Sequence, residues 1–260
     1  MTQVLSLQQI EDLLDLTAVA RDFGAEIVMI GAMALISLQS SLDTYTSDVD
    51  LVVALDLSDF AMLIHRMTHK GWIQEPKREH RWRGPRGSII DLVPAGPQLR
   101  AAKQVVWPDS DFVMSLACFD HVFAHAVAVE FARGVKFAVA PVPVVAMLKI
   151  AAHVEDPHRR AKDLGHLKSL FRVYASETDR IFGDDVFAAD LEDIEFANSF
   201  LLGSDLRTIA TAADHAILDQ FFAMYLEDGL EKLDPIDDLD ARRFQRQLRA
   251  FAKGLGSSPA

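Results

Sequence analysis

Cysteine is almost missing from this chain: Cys118 is the single one in 260 residues. One thiol closes no intramolecular disulfide and supports none of the common zinc clusters, so in its apolar context it reads as a small packed hydrophobe. The nine histidines do not make up the deficit, because no His-Glu-x-x-His pair occurs among them. Long apolar runs are lacking too. The nearest, residues 122–152, is interrupted by Glu130, Arg133 and Lys136, which excludes a membrane-spanning helix there. The opening MTQVLSLQQIEDLLDL has no basic start and soon turns acidic, unlike a secretory signal. A cytoplasmic protein without a membrane partner is the expectation. No internal repeat is visible. An excess of positive charge is also absent: the formal net charge of −12 argues against a general nucleic-acid coat.

What is present is a globular composition, 50% hydrophobic, long enough for one large domain or two modest ones with a proper core. The charge is unevenly placed. Residues 1–60 carry one basic and ten acidic side chains, and residues 61–105 carry nine basic and three acidic. Residues 106–174 are nearly balanced, and residues 175–260 carry eight basic against eighteen acidic. The positive block therefore follows an acidic N-terminal quarter.

The organising stretch runs from Ile27 to Asp50. An apolar strand ends in Gly31-Ala32, a short amphipathic segment follows, and Asp48-Val49-Asp50 opens the apolar run LVVAL. Strand alternation points Asp48 and Asp50 the same way with Val49 behind them. Two adjacent carboxylates repel unless something positive sits between them, and a divalent metal fits that need. The plain alternative is a strand that begins with two surface acids. Asp91, inside Ile-Ile-Asp-Leu-Val, tips the balance. An acid in such a run is costly if buried alone, and makes sense as a third carboxylate on a neighbouring strand. Phosphates would approach bare backbone at Gly31, aided by the start of the following helix.

In order, the pattern predicts a helix over residues 5–23 capped by Ser6, a strand over 26–30, a helix over 32–39, a loop over 40–47 and a strand over 49–55. A helix capped by Ser58 runs to about Lys70, and a short strand covers 72–76. Lys77 to Arg86 is the basic centre, and Gly84-Pro85 marks a turn into the strand over 87–93, so a hairpin brings some of Arg81, Arg83 and Arg86 near the carboxylates. The alternative is a solvated basic face. A short helix is expected over 111–119 and two strands over 126–131 and 135–140. Pro143 starts a nearly all-apolar helix broken by Lys149, which either snorkels or meets an anion. Asp163, on the next helical segment, is placed to hold Lys149 or an arginine. Small helices follow over 177–182, 187–198, 205–227 and 237–251, and GLGSSPA is a frayed tail. His215 is expected to be structural.

GAMALISL, TSDVDLVVAL and IIDLV together resemble the core of the DNA-polymerase-beta-like nucleotidyltransferases, in which a glycine turn precedes an Asp-x-Asp strand and a third aspartate lies nearby. MLKIAAHVEDPHRRAKDLGHL resembles the lysine helix and the following segment of the toxin-like nucleotidyltransferases related to AbiEii and AbiGii. The resemblance covers residues 24–172 and departs at Ala32, which has no hydroxyl for a phosphate.

It implies an α+β fold, with a mixed sheet flanked by helices over residues 1–140 and a helical region over 141–260. It also implies transfer of a nucleoside monophosphate from an NTP to an acceptor. Asp48, Asp50 and Asp91 would be metal ligands for Mg²⁺ or Mn²⁺ and, with Lys149, catalytic residues. Gly31, Ala32, Ser47, Lys149, Arg159 and Arg160 would contact the nucleotide, Asp163 would give structural support, and Lys77, Arg78, Arg81, Arg83 and Arg86 would meet the acceptor. A tRNA or other RNA end is the leading acceptor. A protein or small molecule, and a non-catalytic partner-binding role, stay open, as does an antitoxin partner.

Overall fold

β-branched and aliphatic runs build the sheet, and Gly24 and Gly71, both at positive φ, follow two of the helices beside it. The computed structural model describes residues 4–42, 45–226 and 238–257. The expected helix ends at Glu227 and Asp237 and the last three residues of the tail lie outside the described residues. The chain divides into two compact units: the described parts of Met1–Ser40 and Thr44–Val145, and those of Ser41–Asp43 and Ala146–Ala260.

The first unit opens with α1 (Leu7–Arg21), where Ser6 and Gln9 form a reciprocal capping box. Then come β1 (Ile27–Ile30), α2 (Gly31–Leu38), β2 (Asp48–Val53), α3 (Leu57–His69), β3 (Ile73–Glu75), β4 (Arg78–Arg83) and β5 (Ile89–Pro94). They are followed by α4 (Pro97–Ala102), β6 (Gln104–Val106), β7 (Val113–Ser115), α5 (Asp120–Ala124), β8 (Val127–Ala132) and β9 (Val135–Val139). Seven of the strands form one mixed sheet in the order β3-β4-β5-β2-β1-β9-β8, and β6 and β7 form a separate pair. The fold is α+β, a mixed sheet flanked by helices.

Two local expectations are corrected here. Residues 111–119 hold strand β7, not a helix: Asp111 takes a left-handed φ of 55°, and Val113–Ser115 pairs with β6. The cap of α3 is Asp56, not Ser58, and its carboxylate accepts the backbone N–H groups of Gln98 and Leu99 at the start of α4.

The second unit is helical. α6 (Val142–Glu155) leads into it, and α7 (Ala161–Val173) and a 3₁₀ turn at Asp179–Phe182 follow. After α8 (Asp184–Ala188) and a second 3₁₀ turn at Ile194–Phe196 come α9 (Ala197–Arg207), α10 (Ala212–Tyr225) and α11 (Asp238–Leu255). The helix expected over 205–227 is split between Arg207 and Ala212, and the single helix expected over 187–198 is broken too. Asp190 adopts a left-handed φ of 47°, and the Asp193 side chain accepts the Glu195 N–H to start a new turn. Phe171, Phe244 and Phe251 are almost fully buried, and the Phe171 ring meets the other two, with Phe171 and Phe251 centroids 5.2 Å apart; the equally buried Phe221 joins them through Tyr225.

Candidate active site

β2 and β5 run side by side and parallel, with Asp48 opposite Ile89 and Asp50 opposite Asp91. Residues in register on neighbouring strands share a face, so Asp48, Asp50 and Asp91 project to the same side. Val49 and Ile90 point the other way and have no exposed surface. On that far side, Leu13 and Thr17 of α1 lie beside Met29 and Leu51. A slip of one residue would drive the carboxylates into this apolar layer, which fixes the register.

Arg81 is brought to the acids by the hairpin. β4 pairs with β5 antiparallel and sets Arg81 opposite Asp91. Its Nε donates to Asp91 Oδ1 at 2.7 Å and its Nη2 to Asp91 Oδ2 at 2.7 Å, a two-pronged pairing. The same Nη2 donates to Asp48 Oδ2 at 2.8 Å. One guanidinium therefore bridges two of the three carboxylates. The Asp48, Asp91 and Arg81 side chains keep 33%, 15% and 21% of their surface exposed. Thr46 donates its hydroxyl to Asp48 Oδ1. Burial alone would push the Asp48 carboxyl up, but the Thr46 hydroxyl, the residue's own backbone and the Arg81 charge outweigh it and hold it below the usual carboxylate range. The hydrogen bond to Asp91 pulls the Arg81 guanidinium further into its charged form.

Gly31 sits at the join of β1 and α2 with φ +70°, a conformation that side chains resist. A Cβ there would lie 1.9 Å from Asp50 Oδ2. The missing side chain thus makes room for the Asp50 carboxylate. That acid occupies the place beside bare backbone where the sequence suggested a phosphate. Ala32 follows in the first turn of α2.

The remaining expected residues of this unit have varied surroundings. Ser47 is exposed, and its carbonyl accepts a hydrogen bond from the Gln9 amide at 3.1 Å. Lys77, Arg78 and Arg83 are exposed, and Arg78 stands 3.8 Å from Glu75. Arg86 is turned to α1, meeting Glu11 at 2.7 Å, Asp12 at 3.1 Å and Asp15 at 2.6 Å. Asp12 is fully buried and also accepts the Ser88 hydroxyl at 2.6 Å, so this group ties the hairpin turn to the helix. Sequence reasoning missed Asp12 and Thr46. The signal for Thr46 was its place two residues before Asp48. Asp12 carried one in being an acid on the apolar side of α1.

In the helical unit, Lys149 is 8% exposed and donates to Asp163 at 2.8 Å. Arg160 and His166 each lie 3.9 Å from the same carboxylate. Burial pushes the Asp163 carboxyl up, yet His166 and the Lys149 ammonium prevail and hold it well below its ordinary value. Arg159 stays exposed, 3.6 Å from Asp156.

The donor set of Asp48, Asp50 and Asp91 suits a hard divalent cation, and a cationic group already rests on two of the three. Among the described residues, no three His, Cys, Asp or Glu side chains converge on a metal position as they stand. Arg81 holds two of these carboxylates in their present arrangement.

Compared by sequence, the chain matches no protein-family model and no curated protein. Among solved structures it is similar to an antigenic nucleotidyltransferase-like protein from Paracoccidioides brasiliensis, at 16% identity over 64% of this chain and 76% of that one, with a TM-score of 0.39. It is similar to JHP933 from Helicobacter pylori at 17% identity over 97% of this chain and 95% of that one, TM-score 0.36. A third likeness is to the antibiotic-resistance factor ANT(2'')-Ia, at 14% identity over 64% of this chain and 83% of that one, TM-score 0.36.

Proposed function

We propose that this chain is a metal-dependent nucleotidyltransferase that moves a nucleoside monophosphate from an NTP to an acceptor hydroxyl and releases pyrophosphate. The observation that supports this most is the set of three partly exposed carboxylates on one face of two parallel strands, two of them bridged by one guanidinium. Clustered acids that merely decorated a surface would cost stability and would need neither the shared face nor the cleared space at Gly31.

Asp48, Asp50 and Asp91 would hold Mg²⁺ or Mn²⁺. When bound, such an ion neutralises phosphate charge and lowers the pKa of a bound hydroxyl. Asp91 then takes the acceptor's proton as the acceptor oxygen bonds to the α-phosphorus. The bond from that phosphorus to the β-phosphate oxygen breaks. Lys149, Arg159 and Arg160 are the cationic candidates for the nucleotide phosphates, with Asp163 orienting Lys149. The motif likeness of residues 147–167 to the AbiEii-type enzymes makes an antitoxin partner part of this reading.

For the acceptor, Lys77, Arg78 and Arg83 form the exposed remainder of the basic block and favour an RNA end, a tRNA terminus above all. Arg86 is occupied with α1, so it leaves that path. The acidic region from residue 175 onward supports a second reading, a cationic small molecule or protein acceptor.

The test is to incubate the protein with each NTP labelled at the α-phosphate, Mg²⁺ and cell extract, and to follow label into RNA, protein or small molecules. Transfer that disappears with Asp48→Ala is expected. No transfer from any NTP, or transfer unchanged by Asp48→Ala, would overturn the proposal.

A further inference from the structure

We propose that Arg81 is a tethered counter-ion that must leave Asp48 and Asp91 before a divalent cation can bind there, and that the released guanidinium then serves the substrate's phosphates. This rests on the reading of Asp48, Asp50 and Asp91 as a metal site.

The geometry argues for exchange and not for joint occupancy. The Arg81 N–H groups engage Asp48 Oδ2 and both oxygens of Asp91 at 2.7–2.8 Å. A divalent ion would need these same oxygens at about 2.1 Å. Two positive groups would then crowd one set of carboxylates, repelling each other across a few ångströms. Release is feasible because only the side chain need move. The backbone of β4 is fixed by Trp82, 1% exposed and on the opposite face, whereas the Arg81 side chain already has 21% of its surface open to solvent. The planar fork that now grips Asp91 also matches phosphate oxygens. Arg81 thus offsets part of the acids' charge until a divalent cation takes its place, and its release links metal binding to nucleotide binding.

A purely structural Arg81, one that simply orients the carboxylates, predicts the opposite sign when it is removed. Manganese titrations of the full chain without nucleotide, followed by electron paramagnetic resonance, separate the two. Arg81→Ala should bind Mn²⁺ at least about tenfold more tightly than the wild type, since a competing cation has gone. Equal or weaker binding in the variant, with binding intact in the wild type, would overturn the proposal and leave the metal site standing. No Mn²⁺ binding by either protein would overturn both.

Because the variant leaves two carboxylates without their partner and can fold poorly, the wild type supplies an independent readout. The Arg81 Nε–H resonance, assigned by its loss in Arg81→Lys, should move to the position of a solvated arginine as Mg²⁺ saturates the protein. A resonance that stays unchanged at saturation would overturn the proposal.

Discussion

The carboxylates on the sheet and the Lys149–Asp163 pair in the helical unit are both opposite charges at hydrogen-bond distance, and they are arranged to different ends. On the sheet three acids share one face with one guanidinium, and the side chains keep contact with water. In the helices a single carboxylate, 5% exposed, has Lys149, Arg160 and His166 around it. Carboxylates that keep contact with water can change partners. A buried acid enclosed by cations cannot do so without leaving a charge stranded. On the proposed reading the sheet acids exchange one cationic partner for another, while Asp163 keeps Lys149 in position.

That comparison can be broken most directly by removing one acid from each region. Asp48→Ala should lower nucleotidyl transfer by about a thousandfold or more, as expected when several kcal/mol of charge stabilisation is lost. Its unfolding free energy in urea should change by less than about 1 kcal/mol, because the acid is one-third exposed and Arg81 retains Asp91. Asp163→Ala should do the reverse to stability. It leaves the Lys149 ammonium buried without its carboxylate and should cost about 3–5 kcal/mol by denaturant unfolding. Equal stability losses in the two variants would erase the distinction drawn here.

A smaller effect is expected at Gly31. Gly31→Ala combines a positive φ with a clash against Asp50 Oδ2, so a loss of about 1–3 kcal/mol should accompany displaced Asp50 and reduced transfer. A variant with wild-type stability and activity would remove Gly31 from the account.

Acid sharpens the comparison further. Asp48 and Asp163 both sit below the ordinary carboxylate range when folded, so the unfolded chain binds protons first. Their stabilisation is present in full above the unfolded pKa of about 4 and is lost as pH falls below it toward the depressed folded values. In a melting series below that pH, Asp163→Asn should flatten the acid loss more than Asp48→Asn does.

The smallest effect concerns the acceptor. Arg83→Ala should weaken tRNA binding and lower the slope of log affinity against log salt by about one unit. An unchanged slope would favour the small-molecule or protein acceptor.

Much of this was legible in the sequence because it depends on local alternation. The Asp-Val-Asp and Ile-Ile-Asp runs fix which acids share a face, and their buried neighbours Val49 and Ile90 show why. The hairpin around Gly84-Pro85 was legible from its turn residues, and so was its delivery of an arginine to the acids. Which arginine, and that it would bridge Asp48 and Asp91, depended on the register of β4 against β5, which no short-range pattern encodes. The broken helix near Asp190 and the strand at Val113–Ser115 were missed for a related reason: backbone conformations at Asp190 and Asp111, and pairing with β6, overrode local propensity. Arg86 looked like part of a basic path by charge alone, and only the fold reveals the three α1 acids it meets.

The most direct test of the central claim is an anomalous difference map from crystals of the full chain grown with Mn²⁺ and a non-hydrolysable NTP analogue. The account predicts a manganese peak between Asp48, Asp50 and Asp91, with nucleotide phosphate oxygens also bound to it. A bound nucleotide whose manganese lies away from these three carboxylates would contradict it.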